Sequence, residues 1–191
     1  TAAAYDFNYV ALRYFNVAGA DVHGRTGQST KGATHLIKVV CEAALGARDH
    51  IDVYGTDYPT PDGSGVRDFI HVVDLATGHL AALQALTEPQ CFAVNLGTGN
   101  GYSVLDVVKA YEKACGKPIP YTIAARRAGD IASCYADPAE ARRKLEGLSF
   151  DLLVLDVYSQ TNYHEVLRPH IWLIPVDDQE ADRRAVALAS T

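Results

Sequence analysis

The chain has 191 residues, 48% of them apolar and 21% charged, with no low-complexity tract, the profile of a globular chain with enough length to bury a core of its own. Seventeen basic residues against twenty-three acidic ones give a net charge of −6, which excludes general attraction to nucleic acid or to an anionic membrane and leaves any polyanionic ligand to a few local arginines. No apolar run reaches the roughly 18 residues of a membrane span, and Thr1-Ala-Ala-Ala-Tyr5 lacks the charged and apolar regions of a secretory signal.

The first periodic element is the apolar and aromatic run Tyr9–Val17, which predicts a strand buried on both faces, as in parallel sheets. Residues 21–33, rich in Gly, Thr and Ser, predict a loop. A helix is expected from Thr34 to Leu45, with Leu36, Val39, Val40, Ala43 and Ala44 on one face and Gly46 at its stop. Ile51–Tyr54 predicts a short strand, followed by a turn-rich stretch from Gly55 to Gly65. Arg67–Val73 leads into a helix with Leu75, Ala82, Leu83 and Leu86 as its apolar positions, closed by Pro89. Phe92–Leu96 predicts a second buried strand, ending in Gly97-Thr98-Gly99-Asn100-Gly101.

Ser103 with Asp106 three residues on predicts a capped helix running to Cys115 before Gly116. Asp137-Pro138-Ala139-Glu140 predicts another helix start, with Asp137 as N-cap and Pro138 at the first helical position. Interleaved strands and helices make the chain α/β. Cys41, Cys91, Cys115 and Cys134 are far apart and form no Cys-x-x-Cys, which argues against a zinc site or a redox pair. The first three read as small buried hydrophobes, and a reducing, cytoplasmic compartment fits best.

Two glycine- and histidine-bearing stretches invite readings that fail on spacing. Gly97–Gly101 departs from G-x-G-x-x-G, and no acidic residue ends a second strand about twenty residues on, so a tight strand-to-helix turn is the better reading. His164-Glu165 is followed at the fifth position by Arg168, so it is no zinc-protease motif.

Three other stretches carry chemistry: Leu12–Gly19, Tyr54–Asp74 and Arg126–Asp137. Arg67 and the pair Arg126-Arg127 are guanidinium forks suited to bidentate phosphate binding. Asp130 is a carboxylate able to accept from a ribose hydroxyl, Asn16 follows a strand where ligands of open α/β sheets bind, and Tyr54 offers an aromatic face to a base. Each has an ordinary alternative as well, an exposed ion pair for an arginine or a satisfied turn for Asn16.

From about Tyr9 to Leu145 the sequence is similar throughout to the UDP-glucose 4-epimerases of the extended short-chain dehydrogenase/reductase family. The resemblance rests on Asp57-Tyr-Pro-Thr-Pro-Asp-Gly-Ser-Gly-Val-Arg-Asp-Phe-Ile-His-Val-Val-Asp-Leu75, on Arg126-Arg-Ala-Gly-Asp130 with Tyr135-Ala-Asp-Pro138 behind it, and on Tyr14-Phe-Asn16. It implies the C-terminal part of an extended Rossmann-type fold, including the small substrate-binding domain, without the N-terminal nucleotide-binding half. Residues 1–147 would form that UDP-sugar-binding portion. Residues 148–191 lack the family pattern, and a frameshift or fusion is the simplest account of them.

The resemblance also implies roles. Arg67 and Arg127 would hold the substrate diphosphate, Asp130 a ribose hydroxyl, and Asn16 the diphosphate end. Tyr14 and Phe15 would lie beside nicotinamide and sugar, with Tyr14 a partial wall for NAD. Leu36 and Tyr54 would enclose the uridine, and His35 would make a polar contact. A small residue at Cys134 would widen the sugar pocket enough for UDP-N-acetylhexosamines. The implied reaction interconverts UDP-glucose and UDP-galactose through a 4-keto intermediate with bound NAD. The family's Ser…Tyr-x-x-x-Lys set is not in this chain: Tyr111-Glu-Lys113 has the wrong spacing, so no catalytic residue is assigned and the polypeptide alone is expected to be inactive. NAD would be bound mainly by the other half. The family's homodimers pair through helices of that half, and no membrane or nucleic-acid partner is expected. A non-catalytic UDP-sugar-binding module, an unstable truncated product, and another nucleotide-sugar epimerase or dehydratase are the alternatives.

Overall fold

A computed structural model describes residues 4–5, 7–21, 25–87, 89–145, 153–156 and 171–174. The expected first strand is two strands. β1 (Tyr9–Tyr14) pairs in parallel with β6 (Cys91–Leu96), Tyr9 opposite Cys91 and Tyr14 opposite Leu96. At Phe15 the chain changes partner, and β2 (Asn16–Ala18) runs parallel to β5 (Phe69–His71). β1 is also not buried on both faces: Val10 and Leu12 pack inward, whereas Tyr9 and Tyr14 are 42% and 52% exposed. β6 alternates in the same way, with Phe92, Val94 and Leu96 inside and Cys91 and Ala93 outside. Cys91 is therefore exposed rather than buried, because the period of two places it on the outer face. Cys41 is buried as expected, and Cys115 is half-buried.

β3 (Ile51–Tyr54) pairs in parallel with β8 (Tyr121–Ala124). β4 (Val66–Arg67) lies between β7 (Tyr102–Ser103), antiparallel, and β9 (Ser133–Cys134), parallel. β10 (Leu153–Asp156) and β11 (Ile171–Ile174) form an antiparallel pair. The stretches around His164 and beyond Ile174 lie outside the described residues.

Among the described residues, four helices complete the order: α1 (Leu36–Ala44), α2 (Val72–Ala85), α3 (Val104–Cys115) and α4 (Ala139–Lys144). α3 starts as its sequence predicts. The Ser103 hydroxyl accepts from the Asp106 amide, the Asp106 carboxylate accepts from the Ser103 amide, and Gly116 ends the helix in the left-handed conformation. α4 begins one residue later than predicted, with Pro138 at the N-cap. Asp137 still accepts from the Ala139 amide at 3.0 Å, so the acidic start is retained with a shifted boundary. α2 stops at Ala85, before Pro89, and its Leu83 is 66% exposed rather than a core position.

Two apolar clusters result. One joins Ile37, Val40 and Cys41 of α1 to Val107, Val108 and Tyr111 of α3, with Ile51, Phe69 and Ile119. The Cys41 thiol donates to the Tyr111 hydroxyl at 3.3 Å. Tyr111 is thus a core residue, as its place in α3 suggested. The other cluster joins Leu75, Ala81 and Ala82 of α2 to the inner face of β6, with Ile70, Ala141 and Leu145. Each large side chain so buried contributes about 1.5–3 kcal/mol. Among the described residues no helix is long and apolar enough to cross a membrane.

Candidate functional site

β3, the start of β2, the start of α1 and the segment after β8 face one another across a cleft of about 400 Å³. Seven of the ten residues singled out from the sequence line it: Asn16, His35, Leu36, Tyr54, Arg67, Arg127 and Asp130. They reach it from five separated places in the chain, so the fold rather than local sequence brings them together.

The turn Arg127-Ala128-Gly129-Asp130 brings a guanidinium and a carboxylate to one wall. The Asp130 amide donates to the Arg127 carbonyl at 3.3 Å, and Gly129 has φ +86°, the pattern of a type II turn, which a side chain at that position would disfavour. Arg127 lies over the Tyr54 ring, its Cζ 3.7 Å from the centroid. Arg67, opposite, donates from Nη1 to its neighbour's carbonyl at Val66 (2.8 Å), which leaves Nη2 facing Asp130 Oδ1 at 3.8 Å. Arg67 and Asp130 are only a quarter and about a third exposed, so the pair is screened less than a fully solvated one.

Arg126 has a different part from Arg127. It donates to the Asp57 carboxylate at 2.7 Å and to the Asp57 carbonyl, and it stacks on Tyr58 at 4.1 Å. It fastens the 55–58 turn instead of lining the cleft. Of the other residues singled out, Phe15 lines a second cleft that shares Asn16 and His35 with the first. Cys134 stands opposite Arg67 in the β4–β9 pairing but does not line the first cleft. Tyr14 lines neither, its ring 6.0 Å from that of His79 at the exposed end of β1.

Arg48 and Asp52 line the cleft and were not singled out. Arg48 donates to Glu42 at 3.2 Å, and Asp52 accepts from the Thr122 hydroxyl at 2.8 Å. The polar run Arg48-Asp49-His50, a few residues after α1, was the available signal for Arg48. Glu42, between Lys38 and Arg48, has its carboxyl held below its ordinary value, first by the Lys38 hydrogen bond. An arrangement of two arginines, a carboxylate and an arginine-capped aromatic ring in one cleft can bind a ligand that carries linked phosphates, a diol and a flat ring.

The sequence profile of the NAD dependent epimerase/dehydratase family matches residues 1–97. The chain belongs to this family. It is 49% identical over 162 residues to a UDP-glucose 4-epimerase of Bifidobacterium longum subsp. longum, an alignment that takes in 84% of this chain and 47% of that relative. The crystal structure of a Bifidobacterium longum UDP-glucose 4-epimerase with NAD+ and UDP superimposes with a TM-score of 0.77 at 49% identity, covering 83% of this chain and 48% of that one. The UDP-Glc/GlcNAc 4-epimerase of Campylobacter jejuni follows with a TM-score of 0.59 at 44% identity, over 73% of this chain and 43% of that one. The chain thus spans about half the length of the curated relatives it matches.

Proposed function

We propose that the chain forms the UDP-sugar-binding part of a UDP-glucose 4-epimerase, the isomerase that interconverts UDP-glucose and UDP-galactose with bound NAD. The observation that carries the reading is the convergence of Arg67, Arg127 and Asp130 with Tyr54 in one cleft. Arg67 and Arg127 would bind the diphosphate, Asp130 a ribose hydroxyl, Tyr54 and Leu36 the uracil, and Asn16 and His35 the polar edge toward the sugar. Phe15, in the adjoining cleft, would border the sugar.

The division of labour follows from the reaction class. Diphosphate charge does not change while the sugar is oxidised and reduced at carbon 4, so arginines on it grip every intermediate equally and leave the sugar free to turn. A bound NAD would take up the hydride from carbon 4 of the sugar and return it. The described residues offer it little: Tyr14 could form one wall, but the glycine turn after β6 gives its amides to an internal carboxylate, so it cannot cradle a pyrophosphate. No catalytic group is assigned to this chain. The likeness to a UDP-Glc/GlcNAc 4-epimerase and the small side chain at Cys134 support including UDP-N-acetylhexosamines among the substrates.

Thermal unfolding of the chain with millimolar UDP tests the reading. At a hundredfold excess over the dissociation constant, UDP should add about 2.7 kcal/mol of apparent stability. Arg67→Ala should abolish most of that shift, and UDP-N-acetylglucosamine should reproduce it in the unaltered chain. A transition that UDP leaves unmoved would contradict the proposed site. A shift with UDP and none with the N-acetylated sugar nucleotide would remove only the wider sugar range.

A further inference from the structure

Asp68 is fully buried, and the binding role just proposed does not use it. Its Oδ1 accepts from the Thr98 amide at 3.0 Å and from the Thr98 hydroxyl at 2.7 Å. Its Oδ2 accepts from the Gly99 amide at 3.0 Å and from the Ala136 amide at 3.1 Å. The glycine turn after β6 is therefore an anion nest whose anion is the chain's own carboxylate. The backbone of the same residue extends the connection. Its amide donates to the Cys134 carbonyl at 3.2 Å, and its carbonyl accepts from the Asn16 amide at 3.2 Å.

The two backbone contacts bear on the proposed site. Arg67 precedes Asp68 in the chain, Cys134 lies opposite Arg67 across the β4–β9 pairing, and Asn16 lines the cleft. β4 and β9 are only two residues long, so their ladder is too short to fix a register by itself. The Asp68 carboxylate supplies what the ladder lacks, because it clamps Ala136, two residues past Cys134, to the turn at Thr98.

We propose that Asp68 is the positioning residue of the UDP site: buried in the Thr98–Gly99 nest, it locks β9 against β4 and so aims the Arg67 guanidinium at the ligand's diphosphate. This rests on the proposed function, because Arg67 must have a diphosphate to meet. An asparagine at position 68 would present one acceptor and an N–H₂ group to donors that all need acceptors. At least one of the clamped amides would lose its partner in a site without water access, and the 133–136 segment would shift to satisfy it.

A double-mutant cycle read by isothermal titration of the full chain with UDP tests this, with melting temperatures taken on the same samples. Asp68→Asn should weaken UDP binding about tenfold in the unaltered background and have no further effect in the Arg67→Ala background, since it acts through Arg67. The same tenfold loss in both backgrounds would mean a general structural effect and would overturn the proposal, as would unchanged affinity in the first. If Asp68→Asn fails to give a melting transition, Thr98→Val is read in its place: it removes the hydroxyl donor to Oδ1 and leaves the carboxylate, with a smaller, about threefold, loss expected under the same rule. An unaltered chain that does not bind UDP would defeat the proposed function and this inference together. Binding with an additive cycle would defeat this inference alone.

Discussion

The backbone at Gly97 passes so close to the buried carboxylate that a methyl group there would sit 2.6 Å from Asp68 Oδ2 and 2.6 Å from the Ala136 Cβ. Neither neighbour is the free end of a flexible chain, since Asp68 is held by its four donors and Ala136 by its amide. Gly97→Ala should therefore destabilise the fold by about 1–3 kcal/mol, as over-packing does, and urea denaturation would measure it. An unchanged midpoint would mean that the two segments can part, and that the nest is looser than its distances imply. At this scale the sequence was legible where a residue type has one chemistry. Arg67, Arg127, Asp130 and Tyr54 meet in the cleft as guanidinium, carboxylate and ring. It was illegible where a role depends on distant partners. Asp68 was quoted within the motif beside Arg67, but its donors lie 30, 31 and 68 positions away, and nothing local marks it as buried. Arg126 and Arg127 are likewise alike in residue type, and the family resemblance alone singled out Arg127. Only the fold turns one toward Asp57 and the other over Tyr54.

Elements were legible at their ends more than in their partners. The start of α3 is written in Ser103 and Asp106, and the same serine ties the helix to the loop before β4. The Asp62 carboxylate accepts from the Ser64 amide at 2.9 Å, from the Ser64 hydroxyl at 2.8 Å, and from the Ser103 hydroxyl. Burial pushes the Asp62 carboxyl up, but the hydrogen bonds from Ser103 and Ser64 outweigh it and hold it below the ordinary value of 3.8. A carboxyl with a lowered folded pKa contributes stability that is fully present above the unfolded value and is lost as pH falls through the folded one. Ser103→Ala should cost about 1 kcal/mol at neutral pH through the lost cap. It should also let the Asp62 pKa rise, so the gap to the unaltered chain should narrow between roughly pH 4 and strong acid. Denaturant titrations at neutral pH and near pH 3 would show this, and an equal gap at both would refute the link to Asp62. The division of the first strand at Phe15 had no such signal. Tyr9–Val17 is one unbroken apolar run, and the switch from β6 to β5 is decided by which strands lie alongside.

The whole molecule distributes its two apolar clusters unequally with respect to the cleft. Ile51, 1% exposed, belongs to the α1–α3 cluster and also lines the cleft. Leu145, equally buried, belongs to the α2–β6 cluster, none of whose residues lines the cleft. Strand order was the least legible feature, because pairs such as β3 with β8 join residues about seventy positions apart and no periodicity names a partner. The α/β class and the family were readable from alternation and motif, but the grouping of the cleft on one cluster was not. It has a measurable consequence. Ile51→Ala and Leu145→Ala each remove a fully buried side chain and should each cost about 2–5 kcal/mol in denaturant unfolding. Their effects on UDP should differ: Ile51→Ala removes part of the cleft lining and should weaken binding, whereas Leu145→Ala should leave the affinity of the folded fraction unchanged. Equal losses of affinity from the two would mean that the clusters act as one unit and that the cleft depends on the whole core.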